Sequence, residues 1–176
     1  REGVEMALSL PELDAADRFA LVLAGKALGM KPSESDEIIV AYFGDPERSI
    51  QNDWRSYKDY FYLDGKDRGA IPGLLRNAET PRGAVNSLKA AVMIDPAHPE
   101  VDSAVRRAIF EGDDHALACR LIFLLGLSDQ APPFESFSKK RVEWLLNAAS
   151  REHYKGIRRV LETYGPDVHE QVLPII

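Results

Sequence analysis

Ala116-Leu-Ala-Cys-Arg-Leu-Ile-Phe-Leu-Leu-Gly-Leu127 carries one charged residue, Arg120. Asp113 and Asp114 precede it and can accept from the free N–H groups of a first helical turn, while Gly126 suits the left-handed conformation that ends a helix. A helix apolar nearly all round is a buried one. The run is shorter than the ~20 apolar residues a bilayer requires, so no membrane partner is expected. It reads as a core helix on which the amphipathic segments around it pack. Arg120 is expected at its rim, snorkelling to solvent or paired with a carboxylate, and is a candidate partner contact. Cys119 is the only cysteine, which excludes an internal disulfide and a multi-cysteine zinc site. On this run it reads as a small core hydrophobe.

Working outward, Pro99-Glu100 opens a helix with Val101, Ala104, Val105, Ala108 and Ile109 inward and Arg106 and Arg107 outward, closed at Gly112. Before it, Thr80-Pro81 starts a helix carrying Val85, Leu88, Ala91, Val92 and Ile94, closed by Asp95-Pro96. After the central run, Ser128 to Ser136 reads as a polar loop. Helices follow over 139–149, through Val142, Leu145 and Leu146, and over 153–164, through Ile157, Val160 and Leu161. Gly165-Pro166 ends the second, and a short segment leads to the apolar tail Pro174-Ile-Ile176.

The first eighty residues are punctuated in the same way. Ser9-Leu-Pro-Glu12 has the form of a capping box ahead of a helix bearing Phe19, Val22, Leu23 and Leu28, which Gly29 and Pro32 end. Ser33-Glu-Ser-Asp36 starts a shorter helix with Ile38, Ile39, Val40, Tyr42 and Phe43, stopped at Gly44. Asp45-Pro46-Glu47 starts an aromatic helix whose Ile50, Trp54, Tyr57 and Phe61 share one face. That stripe reads as core. Tyr60 and Tyr62 lie off it and are the aromatic candidates for meeting a partner. Leu63 to Gly69 reads as a solvated loop with a turn at Asp64-Gly65, and its Arg68 is a further candidate contact. Asp64 and Asp67 lack the alternating acidic ligands and terminal glutamate of an EF-hand loop. A short helix over 71–78 begins near Pro72.

Sustained period-2 alternation and paired hairpin signals are absent from the sequence. Short helices separated by short connections imply antiparallel neighbours. The expected fold is all-α, with antiparallel helical hairpins stacked as a multi-helix bundle or short solenoid. Residues 1–79 form an N-terminal helical part with the aromatic helix, and residues 80–176 a helical-hairpin part, packed together as one domain.

Within the second part, two segments resemble one another. One is Trp144-Leu-Leu-Asn-Ala-Ala-Ser-Arg-Glu-His153, then Ile157-Arg-Arg-Val-Leu-Glu162 and Tyr164-Gly-Pro-Asp-Val-His169. The other is Ser103-Ala-Val-Arg-Arg-Ala-Ile-Phe-Glu-Gly-Asp113, followed by Leu117 to Gly126. Small residues on a first helix, a Leu-rich second helix and a closing glycine make residues 103–169 similar to degenerate ankyrin repeats. Neither copy has the family's Thr-Pro-Leu-His start. The resemblance implies a non-catalytic, protein-binding scaffold.

Composition narrows the function classes. With 176 residues, 45% hydrophobic and 28% charged, the chain can bury a substantial core. A formal charge of −6 argues against a general nucleic-acid grip, which needs a basic face. The chain begins at Arg1, which fits an upstream segment removed or not included; a cytoplasmic setting is the default expectation. Gly-x-Ser-x-Gly, phosphate-loop, dinucleotide-loop and His-Glu-x-x-His patterns are missing from the sequence, and no cofactor or metal site is expected. His98, His115, His153 and His169 are not paired at helical spacing. Basic residues gather at Lys139-Lys-Arg141, at Arg106-Arg107 and around Arg158-Arg159; these read as a solvated face, with Arg158 and Arg159 kept as partner contacts. The resulting expectation is a non-enzymatic protein–protein interaction domain with an adaptor, regulatory or partner-neutralising role. The alternative is an enzyme whose polar site, with His115 and His153 as first groups, assembles from separate helices.

Overall fold

The computed structural model describes residues 2–45, 60, 62–80, 84–114, 117–118, 121–122, 125, 142–143 and 147. The fold is all-α: the described residues form helices and connecting turns, and no strand occurs among them. In chain order the helices are α1 (Glu2–Leu8), α2 (Ala15–Ala27), α3 (Ser35–Gly44), α4 (Ile71–Ala78), α5 (Ala84–Ile94) and α6 (Pro99–Phe110), with a 3-10 turn at Gly65–Ala70. The chain divides into two compact units, Arg1–Val101 and Asp102–Ile176. The divide falls in the first turn of α6, and α5 lies in the first unit.

In the first unit α3 is the hub. It packs against α2, the 3-10 turn, α4 and α5, while α1 packs on α2 and α4 on α5. The reason lies in its sequence, since Ile38, Ile39, Tyr42 and Phe43 are all buried along a helix of ten residues. Phe19 of α2 stacks on Tyr42 at 4.1 Å between ring centroids and meets Phe43 edge-on at 5.4 Å. Phe43 in turn contacts Tyr60 at 4.8 Å. Such offset and edge contacts add to the area that the rings already bury.

Helix ends follow local chemistry, with two departures from expectation. Ser9 does not cap α2. Its hydroxyl donates back to the Met6 carbonyl at 2.7 Å, in the turn that closes α1. The cap is Asp14, whose carboxylate accepts from the N–H groups of Ala16 and Asp17 at 2.7 and 2.8 Å. Arg18 gathers the intervening turn by donating to the carbonyls of Leu8 and Leu10, each at 3.1 Å. At the other end of α2, Gly29 takes φ +71°, Met30 N–H donates to Gly25 O and Gly29 N–H to Lys26 O. This is a Schellman ending, at the glycine the sequence marks for it. The second departure is the segment expected as an open loop after Leu63. Asp64 accepts from Lys66 N–H at 2.8 Å, Asp67 accepts from Asp64 N–H at 3.0 Å, and the reciprocal pair winds residues 65–70 into the 3-10 turn.

Glycine permits the close approach of α4 to α3. A Cβ on Gly73 would stand 2.6 Å from Val40 Cγ2, too near for any side chain to be accepted without movement.

In the second unit, α6 buries Val105 and Ile109 and exposes Arg106 and Arg107, as its periodicity requires. Gly112 lets the backbone fold back on that helix, because a Cβ there would meet the Ala108 carbonyl oxygen at 2.8 Å. Asp114 caps the apolar run: its carboxylate accepts from Leu117 N–H at 2.9 Å and its carbonyl from Ala118 N–H at 3.0 Å. Leu117, Ala118, Leu121, Ile122 and Leu125 are helical and buried. Val142 is helical and buried, with Glu143 and Asn147 exposed.

Candidate functional site

Lys26 is the one basic residue in the last turn of α2. Its ammonium turns onto the segment that follows residue 60, donating to Asp67 Oδ2 and to the Tyr62 carbonyl, each at 2.5 Å, with Asp64 Oδ2 at 3.7 Å. The Asp67 side chain is only 2% exposed and that of Lys26 15%. A charge removed from water to that degree is retained only when paired, and here each ion supplies the other's partner. The clamp fixes the start of the 3-10 turn on the end of α2, and with it the backbone of Tyr62.

The two tyrosine candidates separate. Tyr62 is 53% exposed, standing out from backbone that Lys26 holds. Tyr60 is 1% exposed, and its hydroxyl donates to Asn86 Oδ1 at 3.1 Å while Lys89 Nζ lies 4.8 Å from its ring centre. The expectation that Tyr60 faces a partner is therefore corrected. It is a core group, packed against Phe43 because the turn after it is pulled onto α2. Arg68 is largely exposed at the opposite end of the 3-10 turn, with its Nε 2.9 Å from Asp95 Oδ2. Tyr62 and Arg68 thus bracket one anchored surface segment. Arg120, Arg158 and Arg159 lie outside the described residues, as do His115, His153 and His169.

Beside this segment is a cleft of about 240 Å³ between the α2–α3 connection and the 3-10 turn. Lys26, Lys31, Ser35, Asp64, Lys66 and Asp67 line it, together with backbone at Gly29 and Met30. Lys31 spans it, donating to both oxygens of Asp36 at 2.9 and 2.8 Å and to the Lys66 carbonyl at 3.0 Å. Ser35 is 2% exposed and its Oγ has no hydrogen-bond partner among the described residues. A wider groove of about 490 Å³ runs along the other side of α3, between Glu37, Val40 and Ala41 and the residues Pro72, Gly73 and Arg76 of α4.

The sequence pointed to Tyr62 and Arg68 but not to Lys26, Lys31 or Ser35. A lysine in the last helical turn is the ordinary complement of the helix dipole, and a serine among acidic residues is an ordinary first-turn residue. Asp67 was expected in solvent. Its burial depends on Lys26, 41 residues earlier in the chain, and leaves no local pattern.

Comparison of the chain with protein-family models, with curated proteins and with solved structures gives no match.

Proposed function

We propose that this chain is a protein–protein interaction domain that engages its partner through the anchored segment bearing Tyr62 and Arg68. One observation carries the reading: a tyrosine ring more than half exposed is mounted on backbone held by the buried Lys26–Asp67 pair. A large ring on a preorganised support loses little freedom on binding, and tyrosine and arginine are the side chains most often found at the energetic centre of interfaces. Arg68 adds a charge within the same short segment. The similarity of residues 103–169 to ankyrin repeats supports the same class of function, a scaffold that displays contacts and performs no chemistry. Arg120, Arg158 and Arg159 are further partner contacts under this reading.

The test uses the full chain, with wild type and the variants Tyr62→Ala and Arg68→Glu compared by quantitative affinity purification from the native host. The expected result is a stoichiometric protein partner held by wild type and at least tenfold depleted by Tyr62→Ala, with the thermal unfolding midpoint of the variant unchanged. Recovery of no stoichiometric partner by wild type, or equal recovery by all three chains, would count against the proposal.

A further inference from the structure

The cleft beside the 3-10 turn is provisioned unevenly with donors and acceptors. Its acceptors are committed. Asp67 Oδ2 takes Lys26 Nζ and Asp64 N–H, Asp64 Oδ1 takes Lys66 N–H, and Asp36, just behind the cleft, is bound through both oxygens by Lys31. Two donors are left over. The Ser35 hydroxyl is buried without a partner, and the Lys66 ammonium makes no hydrogen bond or ion pair among the described residues. A buried hydroxyl that bonds to nothing is a cost that folding does not recover, and such groups are rare. Lys26 is paired with Asp67 and Lys31 with Asp36, so the ammonium that stays uncommitted among the described residues is that of Lys66. The groups therefore ask for an acceptor carrying negative charge, in a space of about 240 Å³. Ser35 also opens α3, whose N-cap Glu34 makes no side-chain capping bond, so the positive end of that helix dipole adds to the same preference.

We propose that this cleft binds a small oxyanion, a carboxylate or a phosphate group, which accepts from the Ser35 hydroxyl and pairs with the Lys66 ammonium. A cation is disfavoured because each carboxylate at the cleft already faces a lysine. The cleft shares Lys26 and Asp67 with the clamp that holds the Tyr62 backbone, but the proposal does not depend on the partner-binding reading.

Titration of the full chain with inorganic phosphate and, separately, with sodium acetate, at ionic strength held constant with chloride and followed by amide NMR, tests it. The expected result is saturable shifts confined to the neighbourhood of Gly29, Ser35 and Lys66 with at least one of the two probes. Saturation by phosphate alone identifies a phosphate group as the ligand chemistry, by acetate alone a carboxylate, and by both the shared oxyanion chemistry. Lys66→Met, at an exposed position, is expected to weaken binding tenfold or more. Ser35→Ala removes only an unpartnered hydroxyl, so it is expected to fold and to weaken binding at least fivefold. Shifts scattered over surface lysines, shifts reproduced by chloride alone, or unchanged binding by both variants would overturn the proposal.

Discussion

Lys26 shows how much one side chain can organise. It reaches from the last turn of α2 to a carboxylate and a carbonyl far along the chain, and it sets both the 3-10 turn and the placement of Tyr62. Removing it would strand Asp67, whose side chain is 2% exposed, as an unpaired buried charge. Loss of one member of such a pair costs about 3–5 kcal/mol, and the partial exposure of Lys26 puts Lys26→Met toward the lower end of that range. The urea midpoint should fall accordingly, and the double variant Lys26→Met with Asp67→Leu should recover part of the loss. A change within experimental error would show that water replaces the lysine.

At the scale of elements, helix starts and helix contacts each make a separate expectation. The N-cap of α2 is Asp14 and not Ser9, so Asp14→Ala should cost about 1 kcal/mol, while Ser9→Ala, at an exposed turn, should fall within about 0.5 kcal/mol of wild type. Equilibrium denaturation of the two variants side by side decides between the caps. The contact of α3 with α4 is sterically tight at Gly73. Alanine there would raise helix propensity by about 1 kcal/mol but press its Cβ on Val40, an overpacking that costs about 1–3 kcal/mol. Gly73→Ala is expected to destabilise on balance, and Val40→Ala in the same chain to relieve part of the strain. A double-mutant cycle with no coupling would mean that the two helices are not in this contact.

For the folded N-terminal unit as a whole, one carboxylate links stability to pH. Glu5 of α1 accepts from the Ser33 hydroxyl at 2.5 Å and from the Ser33 N–H at 3.0 Å, joining α1 to the α2–α3 connection. Those bonds, the hydroxyl's first, hold its carboxyl below the ordinary 4.5. A carboxyl whose folded value is lowered binds fewer protons folded than unfolded. Its contribution is therefore fully present above the unfolded value and disappears as pH falls through the folded one. Melting curves of wild type and Glu5→Gln should differ by a constant, small amount above pH 4.5 and converge below it. Curves that stay parallel through that range would remove Glu5 from the acid response.

Local chemistry determined much of this protein by itself. Gly29 ends α2, Asp114 caps the apolar run, and the inward face of α6 is the one its spacing marks, because caps, left-handed glycines and helical periodicity act within a few residues of chain. The all-α class follows from the same signals. Competition between near-equivalent local options was less legible. Ser9 and Asp14 both suit a cap, and the choice fell to the residue with a carboxylate when the turn gathered by Arg18 closed over it. Groups whose roles depend on distant partners were not legible at all. Tertiary structure alone made α3 the hub of the first unit, sent Tyr60 into the core and left Tyr62 outside, buried Asp67 against Lys26, and left the Ser35 hydroxyl and the Lys66 ammonium without partners among the described residues. The physical reason is that burial and pairing energies belong to positions brought together by packing, and the residues concerned stand tens of positions apart in the chain.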